Sequence, residues 1–198
     1  MIFHIIRNSR SVSLFKEIIL HSLHHTSCDK VYLSSGFFNE NPAKNEMSKS
    51  LDKSNQLNWL NVPNRNNITV YVKGSFSRSG DMTNLVNNLN AVGFNAIQLP
   101  YKHHHHAKVF IAEEKGLPFL EIIGSSNFTT AAYGTNAPFN IEADLVISLS
   151  DTVDKHIYSQ IENFPEFKES IMILEHNKEN NFNRSLQSQM IWIRDNLF

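Results

Sequence analysis

Two residues in the run YKHHHHAKVF, residues 101–110, have side chains that could act together on an anion. The apolar sequence that follows predicts a strand, and residues two apart on a strand project from the same face. His106 and Lys108 therefore lie side by side, which does not suit a core because burying either one as an ion is costly. A phosphate group explains the pair better, since the imidazole can attack or donate a proton while the ammonium binds a phosphate oxygen.

A second polar element, GSSN, follows at residues 124–127. Gly124 permits close approach of a backbone, and Ser125, Ser126 and Asn127 can cap a helix that is predicted to begin there. Free N–H groups at a helix N-terminus bind phosphate. Such runs are also common in turns, so GSSN alone is weak evidence for a phosphate site. It becomes strong evidence in combination with the His-x-Lys strand just upstream.

A carboxylate stands at the start of the next predicted strand. Glu142 in NIEADLVISL could accept the second ring N–H of a histidine. That bond would fix the tautomer, so that the other ring nitrogen presents a lone pair. An ordinary glutamate at a strand end is the alternative interpretation.

The elements that must hold these groups alternate between strands and helices. We predict helices at 11–25, 46–60, 81–93, 125–134, from Asp151 onward and 185–198. We predict strands at 1–8, as an edge strand, and at 30–38, 67–74, 95–100, 107–114, 117–124 and 140–149. Lys115 and Gly116 form the turn of a hairpin. The alternation predicts an α/β fold with a mixed sheet.

Length and composition predict a single globular domain. The chain has 198 residues, 41% of them hydrophobic, and a net charge of −1, so a nucleic-acid contact would need a local basic patch. The lone cysteine, Cys28, excludes an intramolecular disulfide and a four-cysteine zinc site. We find neither a signal-peptide pattern nor a run long enough to span a membrane, and we expect a cytoplasmic protein.

Together, HAK, GSSN and NIE resemble the active-site signature of the phospholipase D superfamily, in its short single-motif nuclease branch. The strand VYLSSGFF is also similar to the segment beneath the active site in that family. The resemblance covers roughly residues 10–150. It implies a phospholipase D-like mixed sheet flanked by helices on both faces, in one nuclease domain over 1–198, with room for a C-terminal helical appendage over 165–198.

The resemblance assigns a catalytic role to four residues. His106 corresponds to the nucleophilic histidine, Lys108 to the phosphate-binding lysine, Asn127 to the asparagine of the second element and Glu142 to the orienting glutamate. One position departs from the larger lipases, which carry an aspartate five residues after the lysine, where this chain has Glu113. The nuclease branch therefore fits the chain better than the lipases do.

The family mechanism needs two motifs, and this chain has one. One histidine attacks phosphorus to form a phosphohistidine, and the other protonates the leaving oxygen and then activates water. We therefore expect a two-fold homodimer with one composite active site at the interface. The mechanism requires no metal and no other cofactor. The run His103–His105 is a poor metal site, because adjacent residues on a strand diverge.

The resemblance predicts a phosphodiester substrate and is silent on the flanking groups. DNA or RNA is the first choice, with Ser125, Ser126, His104, Lys73 and Arg78 as candidate substrate contacts. By family analogy, the chain could be the effector nuclease of a bacterial restriction or anti-phage defence system. The alternatives are a phospholipase D-type lipid hydrolase or phosphatidyl transferase, and a conditional subunit that docks on a partner protein through IWIRDNLF.

Overall fold

The computed structural model describes residues 1–7, 14–24, 27–36, 62–74, 79–100, 106–126 and 141–198. Its strands are β1 (Ile2–Arg7), β2 (Lys30–Ser35), β3 (Thr69–Gly74), β4 (Asn95–Gln98), β5 (Lys108–Glu114), β6 (Leu117–Gly124), β7 (Glu142–Ser148) and β8 (Ile171–Leu174). Its α-helices are α1 (Leu14–His24), α2 (Ser79–Ala91), α3 (Asp151–Asn163) and α4 (Leu186–Leu197). The predicted helix at 46–60 and most of the one at 125–134 lie outside these ranges.

The eight strands form one mixed sheet in the order β4-β3-β2-β5-β6-β7-β1-β8. β2 pairs with β3 and β3 with β4 in parallel, whereas the other neighbours are antiparallel. β5 and β6 form the predicted hairpin, and Lys115 (φ 51°) and Gly116 (φ 81°) both adopt the positive φ angles that a two-residue type I′ turn requires.

Helices cover both faces of the sheet. On the three-helix face, alternate strand residues pack with α1, α2 and α3 in one apolar core that includes Phe3, Leu33, Val72, Phe110, Ile122, Val146, Ile18, Leu85 and Ile157. On the opposite face, here the α4 face, Ile111 and Ile147 are buried and α4 packs with Met190 fully buried. The predicted fold class, an α/β mixed sheet with helices on both faces, is confirmed.

Two details of the predicted elements were wrong. β1 is not an edge strand, because β8 pairs with its outer side. β8 has only four residues, too few to show a strand period in the sequence. α2 begins at Ser79, two residues before the predicted start of that helix at 81.

The segment 165–198 is integrated into the sheet and its packing. It supplies the edge strand β8 and the helix α4. α4 is attached by the side chain of Arg194, which donates to the fully buried Glu113 carboxylate at the far end of β5 and to the Gly116 carbonyl at 3.0 Å. The ring of Phe198 also contacts that of Tyr32, with centroids 5.2 Å apart.

Candidate active site

Three of the four predicted catalytic residues, His106, Lys108 and Glu142, lie at one end of the sheet, which we call the site end. β1, β2, β3 and β6 end there, and β5 and β7 begin there. The strand register places Lys108 opposite Gly124, and Gly124 opposite Asp144. On the next strand, Arg7 stands opposite Glu142. Polar and charged side chains therefore form a row across four neighbouring strands, at the border of the apolar core.

His106 and Lys108 are in contact at the exposed start of β5. The Lys108 ammonium lies 2.9 Å from Nδ1 of the His106 ring and also donates to the His106 carbonyl at 3.0 Å. An ammonium can only donate, so Nδ1 is the acceptor and the proton of the neutral ring is on Nε2. In this arrangement Nε2 is a proton donor.

The end of β2 contacts both the backbone next to His106 and the His106 ring. Ser34 Oγ donates to the Ala107 carbonyl at 2.9 Å, which fixes the backbone just after His106. A Cβ added to Gly36 would lie 3.1 to 3.3 Å from three atoms of the His106 ring, so the imidazole occupies the space that a side chain would need. In the sequence analysis, Gly36 was only a position within the predicted strand at 30–38.

Ser125 and Glu142 form the second half of the site. The Ser125 hydroxyl donates to Glu142 Oε2 at 2.5 Å and accepts the Ala143 N–H at 2.9 Å. Glu142 is 6% exposed. Among the described residues, no hydrogen bond joins Glu142 to His106, so the expected orienting bond is not seen between these two residues.

A buried cation accompanies the Glu142 carboxylate. Arg7, at the end of β1, is 8% exposed and faces Glu142 across the strand pair. Burial lowers the pKa of Arg7, and the Glu142 charge acts in the opposite direction. Because a guanidinium keeps its proton in proteins, the site end holds a permanent positive charge in addition to Lys108.

A second carboxylate, which the sequence analysis missed, lies beneath this corner. Asp144 accepts the Ser126 N–H at 3.2 Å and the Ser126 hydroxyl at 2.5 Å. Burial raises the pKa of Asp144, and the Ser126 bonds oppose that shift. A signal was present, because Asp144 has the strand parity of the core residue Val146, where an acid is unexpected.

The other predicted substrate contacts are dispersed. Ser126 is 2% exposed and its hydroxyl is directed at Asp144. Lys73 lies on the α4 face, where its ammonium donates to the Leu197 carbonyl at 2.5 Å, so a substrate contact would require that bond to break. His104, Asn127 and Arg78 lie outside the described residues, as do the rest of the His103–His105 run and most of the predicted helix at 125–134.

Glu113 occupies the position of the lipase aspartate and lies far from this site. It is at the opposite end of β5 from Lys108, about 17 Å away at the rise of a strand. Its carboxylate is fully buried and accepts from Arg194 of α4. In this chain the position supports the packing of the C-terminal helix.

Two further observations concern metals and membranes. In the described ranges, no three His, Cys, Asp or Glu side chains are grouped as metal ligands would be. None of the helices in those ranges has the length and hydropathy that a membrane span needs.

No protein-family model and no curated protein sequence matches the chain. Among solved structures, it is similar to the polyphosphate kinase from Porphyromonas gingivalis, with 13% identity and a TM-score of 0.46, over 82% of this chain and 26% of the kinase. It is similar to NucT from Helicobacter pylori, with 15% identity and a TM-score of 0.41, over 88% of this chain and 100% of NucT.

Nuc from Salmonella typhimurium, a phospholipase D family member, has 16% identity and a TM-score of 0.40, over 89% of this chain and 99% of its own. The family that the sequence resemblance names is thus also the family of Nuc, one of the solved structures to which this chain is similar.

Proposed function

We propose that the chain is a metal-independent phosphodiesterase that cleaves DNA or RNA through a covalent phosphohistidine. The observation that carries this proposal is the contact between the exposed His106 imidazole and the Lys108 ammonium, 2.9 Å apart at the site end of the sheet. An imidazole beside a fixed cation provides a nucleophile and a phosphate-oxygen ligand at the same point.

The reaction proceeds in two displacements. In the first, Nε2 of one His106 attacks phosphorus, a P–N bond forms, the P–O bond to the leaving group breaks, and a second histidine protonates that oxygen. In the second, the histidine that gave its proton removes one from water, the water oxygen attacks phosphorus and the P–N bond breaks. Lys108 stabilises the negative charge on the equatorial oxygens in both steps.

The resting contact between Lys108 and His106 gives the lysine a second task. While the ammonium donates to Nδ1, the ring carries its proton on Nε2 and cannot attack. A bound phosphate attracts the ammonium away from Nδ1. The ring that attacks then carries its single proton on Nδ1, whereas the ring that acts as the acid is protonated on both nitrogens and gives up the proton on Nε2.

The second histidine comes from a second copy of the chain, in a homodimer with one composite active site. The support is that two displacements need two histidines, whereas one of the chain's two His-x-Lys runs, His106–Lys108, precedes GSSN and lies at the site end. The other, His176–Lys178, follows β8, and its histidine contacts the Arg184 carbonyl. In a 1:1 mixture of wild type and His106→Ala after subunit exchange, a composite site predicts about a quarter of the wild-type activity. Independent sites in each copy would give about half.

Nucleic acid is the proposed substrate class. Arg7 and Lys108 give the site end two cations on the three-helix face, which suits a phosphodiester backbone. Asn127, Arg78 and His104 are proposed as further contacts, and Asn127 as a catalytic group. The proposed setting is the cytoplasm, as the effector of a bacterial restriction or anti-phage defence system.

A phospholipid is the second candidate substrate, and one observation favours it. Ile141, which precedes Glu142 at the site end, is 76% exposed, and an apolar side chain there could contact an acyl chain. A conditional subunit that docks through residues 191–198 has less support. In α4, Arg194 and Phe198 are already used in packing against the sheet, and Trp192, at 58% exposed, is the apolar residue that remains accessible.

The proposal is tested with labelled single- and double-stranded DNA and RNA in EDTA. We expect cleavage by the wild type, loss of cleavage in His106→Ala, and retention in the control His176→Ala, which lies near the C-terminal helix. Quenching with a denaturant at alkaline pH during turnover, which preserves the acid-labile P–N bond, should trap labelled phosphate on the wild type alone. Cleavage that survives in His106→Ala would contradict the proposal, and cleavage of phosphatidylcholine but not of nucleic acid would favour the lipid alternative.

A further inference from the structure

Both oxygens of the Asp144 carboxylate are used by a single residue on the neighbouring strand. Oδ1 accepts the Ser126 N–H at 3.2 Å and Oδ2 accepts the Ser126 hydroxyl at 2.5 Å. Asp144 is 5% exposed and Ser126 is 2% exposed, so water competes little for these bonds. The backbone just after β6 is therefore held at two points.

Gly124 provides the space for this arrangement. A Cβ at Gly124 would lie 2.0 Å from Asp144 Oδ1 and 2.5 Å from the Ala143 carbonyl oxygen. The carboxylate thus crosses the end of β6 where another residue would place its side chain. Any larger residue at 124 would displace Asp144, which explains the glycine in packing terms.

The residue between these two positions belongs to the candidate active site. The Ser125 N–H donates to the Ala143 carbonyl at 3.1 Å, and its hydroxyl contacts both Ala143 N and Glu142. With Gly124 and Ser126 fixed on either side, Ser125 has one orientation in which its hydroxyl reaches Glu142. The direction of that hydroxyl therefore depends on a carboxylate that does not touch it.

We infer that Asp144 is a positioning residue, which aims Ser125 at Glu142 by fixing the corner from Gly124 to Ser126. This inference rests on the proposed function for its catalytic consequence, but the geometric effect is independent of any substrate. Asp144 stands two strands from Lys108, about 10 Å at the spacing of a sheet, so it supports one half of the site without touching the other.

The Ala143 amide reports the orientation of Ser125, because it donates to the Ser125 hydroxyl and not to a neighbouring strand. We would measure its hydrogen exchange by NMR in the wild type, Ser126→Ala, Asp144→Ala and the exposed control Asp151→Asn. We expect hydrogen exchange at the Ala143 amide to be at least tenfold faster in Ser126→Ala and Asp144→Ala than in the wild type. Exchange at Phe110 and Val146, in the core, should stay unchanged in Ser126→Ala, which would show that this variant is folded. If Asp144→Ala unfolds, Ser126→Ala therefore still tests the inference.

The same proteins are then assayed for nucleic-acid cleavage, together with Ser125→Ala and the double variant Ser125→Ala/Ser126→Ala. We expect kcat to fall at least tenfold in Ser126→Ala with KM changed less than threefold. In the Ser125→Ala background, the added Ser126→Ala change should cost less than twofold, because the aimed hydroxyl is already absent.

Each outcome decides between the inference and its alternatives. Unchanged exchange at Ala143 in the corner variants overturns the positioning role, whatever the activity. Accelerated exchange with full activity, while Ser125→Ala is impaired, also overturns it. Accelerated exchange in the corner variants of a protein whose wild type cleaves no nucleic acid supports the positioning of Ser125 and contradicts the proposed nuclease function.

Discussion

The imidazole of His106 lies against the backbone of Gly36, so closely that a Cβ on that glycine would be 3.1 Å from the ring's Cδ2. We predict that Gly36→Ala lowers kcat roughly three- to tenfold, because the ring must move by a few tenths of an ångström. Gly36→Val should lower it at least 100-fold. Both variants should keep a wild-type thermal midpoint within about 3 °C, which calorimetry checks. Full activity of Gly36→Val would contradict the observed ring position.

Lys108 is predicted to control which nitrogen of His106 carries the proton. In Lys108→Gln the donor to Nδ1 is weakened, so imidazole ¹⁵N shifts of the neutral ring should show a mixture of tautomers, where the wild type shows the Nε2–H form. Cleavage should fall by a factor of about 100 to 1,000, because a charge that stabilises the transition state is lost. An unchanged tautomer with reduced cleavage would leave Lys108 as a phosphate ligand only.

Glu121, on β6, is predicted to make the stability of the protein depend on pH. Its side chain is fully buried, and burial raises its pKa from 4.5 to about 8. The folded state therefore keeps the proton over a range where the unfolded state loses it. The contribution of the protonated Glu121 carboxyl to the free energy of unfolding is fully present below about pH 4.5. It is lost as the pH rises through about 8.

Glu121→Gln, which cannot ionise, should remove this dependence. We compare the thermal unfolding midpoint of Glu121→Gln with that of the wild type. As the pH rises from 5 to 9, we expect the difference to increase by about 5 to 10 °C in favour of Glu121→Gln. The exposed Glu162→Gln serves as the control and should follow the wild type. Parallel pH profiles for wild type and Glu121→Gln would show that the Glu121 carboxyl does not titrate as its burial implies.

The buried bond between Glu113 and Arg194 is predicted to contribute to stability and not to catalysis. Arg194→Met leaves the fully buried Glu113 carboxylate without its cation, which should destabilise the fold by about 3 to 5 kcal/mol. The double variant Glu113→Gln/Arg194→Met should recover most of that loss. Denaturant unfolding measures both.

Catalysis distinguishes this role from that of the lipase aspartate. At a temperature where the Glu113→Gln/Arg194→Met variant is folded, we expect its cleavage rate to stay within about twofold of the wild type, because these residues lie at the far end of β5 from Lys108. A large loss of rate in the folded double variant would place Glu113 in the catalytic machinery.

The hairpin and the neighbouring strands could be predicted because they depend on local patterns. The short continuous apolar runs of β5 and β6 and the Lys115–Gly116 turn between them are sufficient for that purpose. The strand parity of His106 and Lys108 likewise predicted that their side chains would be neighbours, and the structure brings them into contact. Periods of two residues and turn chemistry are properties of a short segment.

Features that depend on distant segments were not predictable in this way. Gly36 supports His106 across 70 positions of sequence, and Asp144 holds Ser126 from another strand. Glu142 was expected to bind a histidine, whereas in this chain it accepts from Ser125. Each of these contacts is fixed by the register between strands, which no single segment specifies.

The hairpin of β5 and β6 carries both halves of the site at its open end, whereas its turn lies at the opposite end of the sheet. The alignment of Lys108 with Gly124 is therefore set by a two-residue turn about 20 Å away, together with the β-bulge between Ala112 and Glu113. Inserting or deleting one residue at Lys115–Gly116 would shift the pairing and direct alternate side chains to the wrong face. In this protein, the length of a distant turn thus helps to determine the geometry of the candidate active site. Natural variants that change the length of this turn should be rarer than variants that change its residues.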